Sequence, residues 1–366
     1  MTDIDLEAIE TPVGFVDLER VRENARRASV YAAENGLGWR PHIKTHKSLE
    51  VARIQLDAGA RGLTVATPRE AEVMSTLTDD ILLAYPPLGA SKLGRIMDLS
   101  PSVDLKVALD SIEVARGLAA AATTAKRTVG VLVEQDMGMG RVGLPDAAAV
   151  VELARAVEAM DGLRFRGIMF YPGHIRVPTE EQADGLADVA GRVDQTLGAL
   201  RAADLDPEIV SGGSTPTMFD SHQIPGQTEI RAGSCIYFDR EGLALEIAKP
   251  VWIAYTVLAT VVSTAVRGHA VLDCGSKALA KEARGGDEGY GVVFERPEVV
   301  VSSVSEEHGV LDLSGTDWRP SIGERVRVIP NHVCVSVNLQ DALVAKDGNR
   351  HRMLELQGRG RGPWSG

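Results

Sequence analysis

Five short stretches of this chain carry side chains of the kind that do chemistry. Arg40–Ser48, RPHIKTHKS, crowds His42, Lys44, His46 and Lys47 into one loop. A lysine amine placed against a carbonyl carbon is a nucleophile, whereas the same charges on an open loop are only solvated surface. Ser211–Thr215, SGGST, offers two glycines that let backbone N–H groups approach an anion, with hydroxyls on either side. YPGH adds Tyr171 and His174, and His174 is a candidate base or substrate contact. Gly138–Gly143, GMGRVG, matches G-x-G-x-x-G, but it sits in the fifth β–α repeat with an arginine inside it. The dinucleotide reading is therefore set aside, and Arg141 is read as a cation near the site. NHVC places His332 and Cys334 two residues apart in a valine-rich run. On a strand such residues face the same way, so imidazole and thiolate can grip one ion, zinc or another divalent metal. Taken singly, each stretch has a plain structural alternative: a solvated loop, a glycine turn, a surface arginine, a packed histidine.

What decides among these is the set of elements that positions them. A strand-like run, Thr11–Leu18, opens the chain. Short β-rich runs then alternate with helical patterns: Trp39–Ile43, Gly62–Ala66, Ile81–Ala84, Leu105–Ala108, Val129–Val133, Phe165–Phe170, Glu208–Ser211 and Glu229–Ile230. Seven of the eight lead into a helical pattern. Alternation of this kind predicts a parallel sheet with right-handed crossovers, here a (β/α)8 TIM-type barrel, with an open doubly wound sheet as the alternative. In a barrel, function collects where strands end. Lys44, Arg141, Tyr171 and Ser211–Thr215 all follow predicted strands, so they share one rim. A lysine opposite a phosphate cradle suggests pyridoxal phosphate (PLP). From about Leu243 the pattern becomes strand and turn with little helix. The expected organisation is a barrel over 11–242 and a mostly-β domain over 243–358, with the first strand free to pair with the latter. The tail QGRGRGPWSG is expected to be loose.

Bulk properties narrow the function classes. With 366 residues and a net charge of −12, the chain suits neither nucleic acid nor an anionic membrane surface. No apolar run is long enough to span a bilayer, and MTDIDLEAIE lacks the order of a signal peptide. Three distant cysteines, Cys235, Cys274 and Cys334, fit a reduced cytoplasm.

The stretches PHIKTHKS, GLTVATPREAEV, YPGH, SGGSTPT, EIRAGSCIYFD, LDCGSKAL, SEEHG and IPNHVCVSVNL resemble, in order and spacing, the D-threonine aldolase/D-serine dehydratase family of alanine-racemase-like (fold type III) PLP enzymes. The resemblance spans nearly the whole chain. It implies that Lys44 is the Schiff-base lysine and that Arg141 lies near the cofactor's phenolic oxygen. It implies Tyr171 beside the pyridine ring and Ser211, Gly212, Gly213, Ser214 and Thr215 around the phosphate. Tyr237 joins the cofactor contacts, and His332 and Cys334 become the ligands of a divalent metal (Zn, Mn or Mg). It further implies a homodimer acting on a small D-amino acid. Aldolase-type members commonly carry His-x-Asp as the metal pair and dehydratases His-x-Cys, which is the pair here. The other motifs lean towards retro-aldol cleavage of a D-β-hydroxy-α-amino acid to glycine and an aldehyde. Dehydration to a 2-keto acid and ammonia is the alternative, with a racemase or a non-catalytic PLP carrier behind it. A metal-dependent barrel hydrolase without PLP would need more His and acidic ligands at strand ends than this rim offers.

Overall fold

The computed structural model describes residues 3–283 and 289–362, and the chain divides into two compact units. One takes in the chain up to Ala25 together with Ser234–Leu356; the other is Arg26–Gly233 with the segment from Gln357 onward. Strand β1 (Val13–Asp17) belongs to the first unit, and helix α1 (Leu18–Glu34) follows it.

The second unit is the barrel. Its strands are β2 (Gly38–Trp39), β3 (Leu63–Val65), β4 (Asp80–Leu83), β5 (Asp104–Leu109), β6 (Val129–Gln135), β7 (Leu163–Phe170), β8 (Ile209–Gly212) and β9 (Glu229–Ile230). They pair in parallel in the order β2-β9-β8-β7-β6-β5-β4-β3. A parallel bridge between His42 and Thr64 joins the two ends and closes the ring. Helices α2 (Leu49–Asp57), α3 (Pro68–Met74), α4 (Ala90–Met97), α5 (Ile112–Thr124), α6 (Ala147–Glu158) and α7 (Ala183–Ala202) make the crossovers. Local chemistry sets their starts. Thr67 accepts the Glu70 N–H ahead of Pro68, and Asp146 accepts the Ala149 N–H. Between β8 and β9 the expected helix is replaced by a 3-10 turn, Met218–Gln223, because Pro225 and Gly226 cut the segment short.

Each strand faces two cores. Leu82, Ala108, Leu132, Met169 and Ile209 fill the ring from inside, while Val107, Val131, Val133, Ile168 and Phe170 pack outward against helices. The floor of the ring is charged but paired. Arg40, 1% exposed, bonds Glu229 at 2.9 Å and also Asp80, and Lys106 reaches Asp80 and Asp104 at 2.7 Å. The tail is tied down at its start: Gln357 Oε1 accepts the Leu49 N–H (3.1 Å) and the Gly358 N–H donates to Lys47 O (2.8 Å). It is therefore not loose from its first residue, and Pro363–Gly366 lie outside the described residues.

In the first unit β1 pairs antiparallel with β10 (Tyr255–Ser263). Short α8 (Arg240–Ala244) precedes β10, and after it come β11 (His269–Leu272), α9 (Ser276–Leu279), β12 (Gly291–Val293), β13 (Arg296–Val304), β14 (Gly309–Asp312) and β15 (Arg325–Pro330). Helix α10 (Val333–Leu339), β16 (Ala342–Asp347) and β17 (Arg350–Glu355) complete the unit. The order is β11-β14-β13-β12-β15-β10-β1-β16-β17, and an added β10–β11 pairing closes part of the sheet into a barrel.

Here the structure corrects the sequence reading. VCVSVNL looks like a strand by its valines but is α10, and Val333, Ser336 and Val337 bury one face at helical spacing. Tertiary contacts override β-propensity: Asp239 accepts the Val333 N–H at 2.9 Å, and Ser336 bonds Tyr255 and the Ala278 carbonyl.

Candidate active site and metal centre

Inward-facing positions recur at every second residue of a strand. Continuing the inner core one step towards the strand ends leads from Leu132 to Glu134, from Met169 to Tyr171, from Ile209 to Ser211, and from Glu229 to Arg231. These residues, with His42 and Lys44, form the rim.

Lys44 sits in a 3-10 turn, Ile43–Thr45, rather than on the strand itself, because β2 ends at Trp39. Its backbone N–H is directed at His42 Nδ1 (3.5 Å), and its side chain is exposed. Burial, with Lys44, Arg231 and Lys47 adding to it, pushes His42 well below the usual histidine range, so it is neutral. His46 is fully buried between Gln55 and the Ser48 N–H and falls to about 3 through burial; it holds the turn and is not part of the rim. Lys47 forms an ion pair with buried Glu70, leaving Lys44 as the lysine of this loop at the rim.

The structure brings Lys44, Arg141 and Tyr171 together. Lys44 Nζ lies 6.0 Å from the centre of the Tyr171 ring, and the Arg141 guanidinium carbon lies 5.2 Å from it. The glycines around Arg141 serve its loop. Asp136 accepts the Met139 and Gly140 N–H groups at 3.0 Å, Asp110 accepts that of Gly143 at 2.9 Å, and a Cβ on Gly143 would fall 2.4 Å from Asp136 N. His174 packs its ring over Gly138 of the same loop.

Two rim residues escaped the motif reading. Arg231 donates to Ser211 Oγ (2.8 Å) and to the Phe170 carbonyl (2.7 Å), and Ser211 donates to Glu229 (2.7 Å). The guanidinium is thus pinned, through Glu229 and Arg40, to the paired charges of the floor. Burial lowers Arg231 to about 10, against the pull of Glu134 and Glu229. Glu134 is 3% exposed, and burial raises it to about 7 although Arg231 and Arg141 oppose the shift. Counting by two from Leu132 and Glu229 finds both residues.

At the cradle, Ser211 departs from its expected place, since its hydroxyl is spent between Arg231 and Glu229. The remaining stretch fits an anion. A Cβ on Gly212 would meet the Phe170 ring at 2.2 Å, Gly213 has φ +82°, and Ser214 and Thr217 lock each other through their hydroxyls at 3.0 Å. A lysine amine, two arginine cations and a side-chain-free turn suit a phosphorylated aldehyde. Tyr237, expected among the cofactor contacts, belongs to the other unit, where it is fully buried and its ring stacks on Tyr255 at 5.8 Å.

That unit carries its own cluster. His332 is the extended residue before α10, and Cys334 lies in the helix's first turn, so the pair meets at a helix start and not along a strand face. Asp239, 4% exposed, organises the cluster. It accepts the Gly242 N–H that starts α8 (3.1 Å), the Val333 N–H that starts α10 (2.9 Å), and His332 Nδ1–H (3.1 Å). Nδ1 is thereby occupied, and Nε2 is the nitrogen left for a metal. Glu241 lies 3.6 Å from the same ring, and ligand atoms of Asp239, Glu241 and His332 fall within 4.8 Å of one another. Burial works against charge on His332, but Cys334 and Asp239 outweigh it and raise it to about 11. An anionic pocket with nitrogen, sulfur and oxygen donors fits a divalent cation. Asp239 and Glu241 lie about ninety residues before His332, and only the i,i+2 acid pair in YFDRE hinted at them.

Comparison with known proteins agrees. The family model for the alanine racemase N-terminal domain matches residues 16–241, and that for a serine dehydratase domain matches 254–345. The chain is 33% identical over 352 residues to the D-threo-3-hydroxyaspartate dehydratase of Delftia sp. (strain HT23), covering 90% of this chain and 92% of that one. A cysteine-to-alanine variant of that dehydratase, solved in the metal-free form, superimposes with a TM-score of 0.85 at 30% identity, covering 96% of this chain and 98% of that one. The D-threonine aldolase of Arthrobacter sp. is 29% identical, over 97% of this chain and 94% of its own length. The crystal structure of D-threonine aldolase from Filomicrobium marinum superimposes with a TM-score of 0.88 at 30% identity, covering 98% of both chains. Among the described residues no helix is long and apolar enough to cross a membrane. The chain is a lyase whose cofactors are pyridoxal phosphate and a divalent metal. It belongs to the alanine-racemase-like family, in the branch that joins the racemase-type barrel to a serine dehydratase domain.

Proposed function

We propose that this lyase acts on D-β-hydroxy-α-amino acids and works by dehydration, releasing a 2-keto acid and ammonia. The observation that carries this choice is Cys334 beside His332. Resemblance assigns His-x-Cys to the dehydratases and His-x-Asp to the aldolases, so the metal pair outweighs the other motifs that lean towards cleavage.

When bound, the cofactor supplies an electron sink for the α-carbon and the metal a Lewis acid for the β-hydroxyl. Lys44 Nζ would hold the cofactor at rest and would take the α-proton of the substrate. Backbone at Gly212–Thr215 grips the phosphate. Arg141, stacked on Tyr171, would lie near the cofactor's phenolic oxygen, and Tyr171 would lie beside its pyridine ring. Arg231, pinned by Ser211 and Phe170, keeps a fixed positive charge at the rim. Neutral His42 adds no charge beside the amine. His332 and Cys334 bind the metal, and Asp239 keeps the imidazole turned towards it.

Retro-aldol cleavage to glycine and an aldehyde is the second reading, favoured by the superposition on a D-threonine aldolase. Three cysteines that form no disulfide among the described residues support work in the reducing cytoplasm. A homodimer is the assembly we propose, to be checked by light scattering.

The test is product analysis on the purified, PLP-loaded protein with D-threonine and D-serine. Dehydration gives 2-oxobutanoate and pyruvate with ammonia, lost on chelation and restored by a divalent metal. Glycine and acetaldehyde from D-threonine would replace this reading with the aldolase. Interconversion of D and L forms alone would replace it with a racemase.

A further inference from the structure

A groove of about 470 Å³ opens on the barrel unit between the start of α6 and one face of α7. It is lined by Gln135 and Asp146 at one side and by Asp188, Gly191, Arg192 and Gln195 along α7. Nothing in the reaction proposed above uses it.

Its base holds a polar group without a partner. Gln135 is 3% exposed, and its Oε1 accepts the hydroxyl of fully buried Thr196 at 2.7 Å. That bond orients the amide, and the Nε2 hydrogens are left with no protein acceptor on the groove side. That nitrogen is reached from the groove, so it is the donor the groove offers to a ligand. Around it the groove is divided by charge. Arg192 spends Nε on Asp188 (2.9 Å) and keeps the rest of its guanidinium fork. Asp146 uses Oδ1 to cap α6 at Ala149, which leaves its second oxygen. Gly191 makes the room: a Cβ there would touch nothing within 4 Å, although glycine inside a long helix carries a propensity cost.

The donors are the Gln135 amide and the Arg192 guanidinium, and the acceptors are the Asp146 and Asp188 carboxylates. Together they match a small molecule that carries a carboxylate and an ammonium group. We propose that this groove is a second binding site for a free α-amino acid in its zwitterionic form. The site also bears on the rim. Gln135 and Pro145–Asp146 are the two ends of the loop that carries Arg141, and those ends are joined by Asp136 N–H to Leu144 O and Leu144 N–H to Glu134 O. A ligand bridging them braces that loop. The proposal does not depend on which reaction the rim performs.

The test is calorimetric titration of the holoenzyme with glycine and with L-serine, after borohydride has fixed the cofactor on its lysine so that the rim takes no amino acid. One saturable site per chain, tighter than about 1 mM, is expected for at least one probe. Gly191→Met fills the groove from a position with no clash and should abolish it, and Gln135→Leu should weaken it tenfold or more. No saturable binding of either probe, or binding unchanged in Gly191→Met, would overturn the proposal.

Discussion

The barrel rim gathers cations, Lys44, Arg141 and Arg231, around the buried carboxyl of Glu134. The cluster of the β unit gathers two carboxyls and a thiol, Asp239, Glu241 and Cys334, around the imidazole of His332. Each set surrounds a group of opposite sign, and the two are resolved in opposite ways. At Glu134 burial wins, and the group is raised to about 7 despite its arginines. At His332 the partners win, and the ring is held at about 11 despite burial. The difference is one of proximity. Cys334 and Asp239 act on His332 both by charge and by hydrogen bonds, Asp239 at 3.1 Å, whereas the arginines act on Glu134 by charge alone, with Arg231 committed to Ser211 and Phe170. One site is built to receive an anion and the other a cation, one in each of the two compact units.

The largest expected effect separates the two sites outright. Lys44→Ala should lower turnover by about 10³-fold or more while metal content, read by elemental analysis, stays at the wild-type level. Loss of metal from this variant would mean that the sites are not independent. Because Lys44 is exposed, the melting temperature should hardly move.

Next is the buried carboxyl of the rim. The folded-state pKa of Glu134 lies above the ordinary carboxylate value of 4.5, so its contribution to stability is complete below about 4.5 and is lost as pH rises through about 7. In the apoprotein, Glu134→Gln should remove that slope. The variant should match wild type near pH 4 and exceed it by about 3 kcal/mol above pH 8, as read from denaturant midpoints. Equal slopes would mean that the arginines, and not burial, govern this carboxyl, and the contrast with His332 would fail.

The smallest effect sharpens the other side. Asp239→Asn should weaken metal binding by about 10- to 100-fold, because His332 loses the acceptor that turns Nε2 outward. Asparagine keeps one oxygen, so one of the two capping bonds is lost as well, at about 1 kcal/mol of stability. A stability loss with unchanged metal affinity would reduce Asp239 to a structural cap.

How much of this was legible in the sequence varies residue by residue. Lys44, Arg141 and Tyr171 follow strands of a recognisable β–α alternation, so barrel geometry puts them on one rim before any coordinates are consulted. Glu134 and Arg231 were equally reachable by counting inward positions, but charged residues next to apolar strands look like loop charges until the inner face is identified. A helix was expected in the seventh crossover because Met218–Gln223 has helical spacing for a single turn before Pro225 and Gly226 end it. Ser211 was grouped with its glycine neighbours on motif alone, and Arg231 and Glu229 claim its hydroxyl from other strands.

His332 and Cys334 were singled out as a pair on strand spacing, and that spacing does not hold, because the two meet at a helix start. Their valine neighbours favour a strand, and the helix forms because Asp239 caps it from a distant segment and because Val333 and Val337 bury together. Local pattern, set by the periodicity of apolar residues and by turn chemistry, determined the alternation of elements, the barrel and the residues at its strand ends. The tertiary structure alone decided which charges are paired, which are buried without a partner, and which distant carboxyls complete the metal cluster. These are matters of distance and burial between segments far apart in the chain, and no local pattern encodes them.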